Sequence, residues 1–350
     1  MLKQVALEKG QDKIDSQSYS SSQPLDPEDR QKTSWTNIDR KWFDSTRLDL
    51  FWWFLFERQT IWRRRWVEKK APPWTNDPIL RTARFTNVYR ELDPGTDYLI
   101  RNILETSHSD QDKIFNVMVY RLIGRLETFK RIGFQSVDSF DSSKFEEVLK
   151  QVRDVEGSSP FSGAYTVCAY SKLGSHDKVE NVARLFSALQ DRFPNLYARI
   201  KKCRRAEEAY NELKSTNGFG RFLSYQVLVD LLYPLNMKNG EPLLPFSHDE
   251  WAIAGPGARK GIDFLLKDKL APKELDVMRW LRYNQRQEFE RVKLSFPYRK
   301  DKLGRPIELT LANIQNCLCE YYKYYKIKTG TGRARRNFVP RTQQLLEAIA

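Results

Sequence analysis

Apolar residues along this chain return at helical spacing almost throughout. Between residues 42 and 70, Leu48, Trp52, Leu55, Phe56 and Trp62 fall on one face. Asp44 or Ser45 caps the start of that helix, which is expected to reach about Lys69. Arg63, Arg64 and Arg65 lie near its end, where the helix dipole favours cations. Asp77 then offers an N-cap with Pro78 at the first helical position, which predicts a helix over 79–93. Its stripe is polar: Arg81, Arg84, Asn87, Val88 and Glu91. Further helices are expected over 98–105, 113–130, 142–154, 179–190, 196–215, 222–233, 259–270, 273–294 (where a break is allowed) and 309–328. The 161–169 stretch reads as a short strand or a buried turn. No alternating run is long enough for a sheet, so the fold class is all-α, in one body or two lobes.

The texture changes sharply near the ends. Residues 1–38 are rich in Ser, Gln, Asp and Lys and read as a disordered tail. A helical domain is expected over 39–342, and 343–350 as a C-terminal tail. The greasiest stretch, Leu50 to Phe56, is bounded by Asp49 and Glu57 and is too short to span a bilayer. No membrane association is expected. Nor does a signal peptide open the chain, so an intracellular location is expected: nucleus in a eukaryote, cytoplasm in a prokaryotic or viral setting.

Charge narrows the partner. Lys and Arg number 59 against 45 Asp and Glu, a formal net charge of +14. A polyanion such as DNA is the expected partner. Two glycine turns sharpen that expectation: Asn217-Gly218-Phe219-Gly220-Arg221, and Ala254-Gly255-Pro256-Gly257-Ala258-Arg259-Lys260-Gly261. Each is either a glycine cap between packed helices or a helix N-terminus that binds phosphate. On the second reading Gly218, Gly220, Arg221, Gly255, Gly257, Arg259 and Lys260 contact DNA. Arg333, Arg335 and Arg336 extend the contact, in a segment with no acid between Glu320 and Glu347.

Catalytic motifs are few. The chain carries no G-x-x-x-x-G-K-[ST], no G-x-S-x-G and no H-E-x-x-H. With 4 Cys and 3 His, and no C-x-x-C, neither metal nor cofactor is expected. Chemistry would rest on carboxylates, arginines and amides. Asp230 lies among Val229, Leu231 and Leu232, which makes it either ion-paired or functional. On a helix Asn313, Asn316, Cys317 and Glu320 share one face, continued by Lys323; the stripe is either solvated or the wall of a pocket that reads a base edge.

Five blocks resemble one family: Phe56 to Gln59, Pro73 to Asp93, Gly218 to Gln226, Ala254 to Gly261 and Ile314 to Glu320. They are similar to the helical domain of 5-hydroxymethyluracil DNA kinases, grouped with the α-glutamyl/putrescinyl-thymine pyrophosphorylases. The resemblance covers roughly residues 42 to 340. It implies a helix-hairpin-helix, DNA-glycosylase-like architecture and a role in thymine hypermodification. The kinases of this group carry a P-loop that this chain lacks, so the helical domain alone is implied. The expected function is a transferase acting on a flipped, modified thymine in DNA. The alternatives are a non-catalytic DNA-binding partner of a separate kinase or other base-modification enzyme, and a glycosylase acting through Asp230. Expected catalytic groups are Glu320, Asp230, Arg81 and Arg84, with Asn87, Arg90, Asn316 and Trp74 holding the substrate.

Overall fold

A computed structural model describes residues 38–163, 167–268, 273–334 and 337–338. Among them the chain is mostly helical, with fourteen α-helices. In order these are α1 (Ser45–Trp62), α2 (Pro78–Thr82), α3 (Pro94–Leu99), α4 (Asp110–Ile123), α5 (Leu126–Ile132), α6 (Ser142–Lys150) and α7 (Lys178–Gln190). There follow α8 (Phe193–Lys202), α9 (Ala206–Lys214), α10 (Arg221–Leu231), α11 (Pro256–Leu265), α12 (Glu274–Tyr283), α13 (Gln285–Arg291) and α14 (Leu311–Lys328). Between α13 and α14 sits an antiparallel hairpin, β1 (Arg299–Lys300) against β2 (Pro306–Ile307), with Arg299 opposite Ile307. This two-residue ladder is the only sheet among the described residues, in a chain that is otherwise helical as expected. Strands so short leave no period to read.

The start signals hold. The Asp44 carboxylate accepts from the Arg47 N–H at 2.9 Å, and that of Asp77 from the Leu80 N–H at 2.8 Å. Two expected helices are divided instead. The 113–130 helix stops at Gly124, whose φ of 61° leaves the helical region. The 196–215 helix breaks at Cys203–Arg205, where Glu250 takes the Ala206 N–H at 2.7 Å and starts α9. The 273–294 stretch is broken at Asn284, as the sequence allowed. Residues 161–163 and 167–169 form no strand.

The helix expected over 79–93 is the largest correction. After Thr82 the chain leaves the helix, runs without helical structure to a bend at Val88–Tyr89, and then makes a short turn of 3-10 helix at Arg90–Leu92. Side chains from elsewhere take the backbone groups that a helix would have used. This segment lies across α14.

α14 is the axis of the C-terminal half. Tyr321 is fully buried, with its ring 5.4 Å from Phe51 and its hydroxyl donating to the Arg47 carbonyl at 2.7 Å. Tyr324, also buried, packs on Phe54 and donates to the Asp77 carboxylate at 2.8 Å. Each such ring contributes on the order of 1.5–3 kcal/mol on burial. On another side α11 presses against α14 through glycine. A Cβ at Gly257 would lie 2.3 Å from Cys319 Sγ, and one at Gly261 would lie 2.5 Å from the Leu318 carbonyl oxygen. Only hydrogen fits at that spacing.

Candidate functional site

The non-helical segment 83–89 and α14 build a polar cluster. Glu320 Oε2 accepts the Thr86 N–H at 2.9 Å and pairs with Lys323 Nζ at 2.6 Å. Lys323 in turn donates to the Arg84 carbonyl at 3.1 Å. Asn316 Nδ2 donates to Thr86 Oγ1 at 3.0 Å and to the Asn87 carbonyl at 3.4 Å. The next amide along, Asn87 N–H, is held by Asp93 Oδ1 at 2.9 Å. Successive backbone N–H groups therefore hang from two carboxylates, Glu320 and Asp93.

Beneath them lies Arg58. It is 9% exposed, its Nη2 donates to the Phe85 and Thr86 carbonyls, and its Nε has no hydrogen-bond partner among the described residues. Burial pulls this guanidinium below its ordinary value, against the charges of Glu320 and Asp93. Burial also pushes the Asp93 carboxyl up to about 7, opposed by the Asn87 N–H and Arg90, with the charge of Glu320 adding to the rise. A carboxylic acid that titrates near neutrality beside a second carboxylate can take up or release a proton in turn. Burial raises the Cys317 thiol far above its usual range, which leaves it unreactive.

Several expected residues meet here: Glu320, Asn316 and Asn87 interlock, and Arg84 borders them through its carbonyl. Arg81, on the last turn of α2, and Arg84 are exposed. Arg90 is interior, 7% exposed, with Nη2 on Gln226 Oε1 at 2.7 Å. Trp74 is buried elsewhere, packed on Phe338, with its indole N–H on the Lys70 carbonyl. Asp230 is fully buried and held by both Nε and Nη2 of Arg121, which takes the ion-paired alternative. Asp93 and Arg58 escaped the sequence reading. Arg58 was detectable, because the apolar stripe of α1 continues through Leu48, Phe51, Trp52 and Leu55 onto Arg58 and Gln59, both buried.

The two glycine turns lie side by side. Arg221 Nη2, at the start of α10, donates to the Ala254 carbonyl just before α11, and both Arg221 and Arg259 pair with Glu274. Gly218 has φ +83° and its Cβ position is 2.5 Å from Leu185, so packing dictates that glycine. Packing likewise dictates Gly257. Gly220 and Gly255 are the N-caps of α10 and α11. Gly220, Lys260 and Arg333 are exposed; Arg335 and Arg336 lie outside the described residues.

A pocket of about 690 Å³ opens farther along the same segment. Tyr89 and Glu91, Tyr233, His248, Arg282 and Asn313 are among its walls. No sequence signal marked it, because its walls come from five separate stretches of chain. Among the described residues no His, Cys, Asp or Glu cluster could hold a metal, and no helix is long and apolar enough to cross a membrane.

The chain belongs to a family of helical DNA-kinase domains. Residues 45–333 match the family described as "5-hmdU DNA kinase, helical domain". The 5-hmdU DNA kinase of Bacillus phage SP10 is 29% identical to it over 300 residues, which cover 81% of this chain and 46% of the phage protein. The chain thus spans about half the length of that relative. No solved structure matches it.

Proposed function

We propose that this protein binds DNA and acts on a modified thymine, 5-hydroxymethyluracil or its phosphorylated form, as a transferase. The observation that carries the reading is the carboxylate pair, Glu320 and Asp93, on adjacent amides of the segment that α14 clamps. The family relationship supplies the substrate class. α9, the turn 215–220 and α10 make a helix, a hairpin and a helix, which supports a helix-hairpin-helix unit of the DNA-glycosylase-like type. The basic residues around the two turns favour phosphate contacts there.

A base inside a duplex is out of reach, so the target leaves the stack. In the step proposed, an amine nitrogen bonds to the methylene carbon of phosphorylated 5-hydroxymethyluracil. The carbon–oxygen bond to phosphate breaks, and phosphate leaves with the electron pair. Glu320 or Asp93 takes the amine proton. Arg81 and Arg84, both exposed, are the cations available to the leaving phosphate. Asn87 and Asn316 border the reacting base.

Incubating the full chain with DNA that contains phosphorylated 5-hydroxymethyluracil, plus amino acids or polyamines, tests this by nucleoside mass spectrometry. A new aminated nucleoside supports the transferase. Abasic sites would instead indicate a glycosylase. Salt-dependent DNA binding without any product supports a second reading, a non-catalytic DNA-binding partner of a separate kinase. That reading rests on the match to the helical domain of DNA kinases and on the basic residues around the glycine turns.

A further inference from the structure

The 690 Å³ pocket has features that the cluster at Glu320 lacks. Its size suits one nucleotide-sized ligand. Cations outnumber acids on its wall, five to three. Lys201 and Lys238 share one carboxylate, Asp110, at 4.0 and 2.7 Å, while Arg286 leans on Glu308 and Arg282 divides between Glu308 and Asp249. Lys201, Lys238 and Arg286 keep 39%, 30% and 50% of their side chains exposed, so an anion can reach them.

Deeper in, the wall is polar and uncharged. Asn313 is 4% exposed; its Oδ1 caps α14 through Thr310, while its Nδ2 donates to nothing among the described residues. His248 Nε2 donates to the Val229 carbonyl at 2.7 Å, which fixes the tautomer and leaves a lone pair on Nδ1. Burial lowers the His248 pKa, so the ring stays neutral at pH 7. Tyr233 stands edge-on to that imidazole, at 4.8 Å between centroids, with a buried hydroxyl that has no hydrogen-bond partner among the described residues. The wall therefore offers an unfilled acceptor and an unfilled donor beneath a cationic mouth. A uracil-type ring presents the complement, an N3–H beside a carbonyl oxygen, on a unit that carries phosphate.

We propose that this pocket is a pyrimidine-nucleotide site: His248 Nδ1 accepts the N3–H of a uracil-type base, Asn313 Nδ2 donates to a ring carbonyl, and Lys201, Lys238 and Arg286 hold the phosphate. The site would serve a second nucleotide, either one of the strand beside the base at Glu320 or one free in solution. It rests on the reading above only for the first source.

The test is isothermal titration of the full chain with 5-hydroxymethyl-2′-deoxyuridine monophosphate, deoxyadenosine monophosphate and inorganic phosphate. In parallel, binding to a duplex with one 5-hydroxymethyluracil is measured. One equivalent of the pyrimidine nucleotide should bind, more tightly than the purine. His248→Phe should weaken it by roughly tenfold, while leaving the affinity for phosphate alone unchanged. Lys201→Gln with Lys238→Gln should weaken nucleotide and phosphate alike. Circular dichroism confirms that each variant folds. If the duplex also binds and the free nucleotide competes for it, the strand is the source; if only the free nucleotide binds, the pocket stands and the DNA reading falls. Salt-dependent duplex binding with no nucleotide binding and no effect of His248→Phe overturns the pocket and spares the DNA reading. Equal binding of all three probes also overturns it, as a general anion site.

Discussion

Glu320 and Asp93, far apart in sequence, hold neighbouring backbone amides: Thr86 N–H on the first and Asn87 N–H on the second, each at 2.9 Å. Two carboxylates on one stretch of backbone feel each other's charge, and Arg58 below moderates both. The arrangement makes the two residues unequal. Glu320 forms an ion pair with Lys323, whereas Asp93 has burial acting on its carboxyl and raising it.

Glu320→Gln keeps an oxygen for the Thr86 N–H and removes the charge facing Lys323. The pair is partly exposed, so the stability change should stay within about 1 kcal/mol. DNA affinity should hold, while turnover on phosphorylated 5-hydroxymethyluracil DNA should fall by roughly a hundredfold or more. Nucleoside mass spectrometry beside a binding titration reads both. Normal turnover would remove Glu320 from the chemistry.

Asp93 predicts a pH dependence of stability. Its carboxyl titrates near 7 when folded and near 3.9 when unfolded, so the unfolded chain releases that proton first. This contribution is complete below about pH 4 and is lost as pH rises through 7. Asp93→Asn should flatten the stability profile in that window, by a slope approaching about 1.4 kcal/mol per pH unit. Denaturant midpoints of the two proteins from pH 4 to 8 measure it. Parallel profiles would show that Asp93 ionises normally.

The glycines divide by what surrounds them. Gly261→Ala would drive a methyl into the backbone of α14, and Gly218→Ala would strain a left-handed residue against Leu185. Each should lower stability by roughly 1–3 kcal/mol or more. Gly257→Ala meets a side chain instead, so adding Cys319→Ala should restore much of what it loses. Gly220→Ala has open space and ordinary backbone angles, and as the N-cap of α10 should cost about 1 kcal/mol or less. Thermal melts rank the four. A neutral Gly261→Ala would contradict the close approach of α11 and α14.

Much of this architecture was legible in sequence, and the misses share a cause. Asp44, Asp77 and Pro78 act locally, so the starts of α1 and α2 could be read directly. The stripe from Asn316 to Glu320 was legible because helix period places those residues together. The 79–93 segment misled because its polar residues also fit helical spacing, while the groups that hold it out of a helix, Glu320, Asn316 and Arg58, come from distant parts of the chain. Asp230 read as ambiguous for the same reason, its partner Arg121 lying on a helix remote in sequence. The pocket at His248 was invisible because no single stretch of chain encodes it.

The last prediction concerns the glycine turns as a DNA interface. Arg221 and Arg259 rise from the starts of α10 and α11, where helix dipoles already favour an anion, yet both spend their charge on Glu274. All three side chains are partly exposed, at 42%, 48% and 30%, so a phosphate can compete with the carboxylate. If DNA lies here, Glu274 acts as an internal competitor. Glu274→Gln should then tighten duplex binding severalfold at low salt, without changing the turns themselves. The slope of log affinity against log salt should steepen by about one to two, because each newly available cation releases a counterion when it meets phosphate. Arg221→Gln with Arg259→Gln should weaken binding and flatten the slope by a similar amount. Fluorescence anisotropy on one duplex across a salt series reads all three proteins. An unchanged slope in both variants would place the DNA-contacting surface elsewhere on the molecule and leave Arg221, Arg259 and Glu274 as a bridge that ties α10 and α11 to α12.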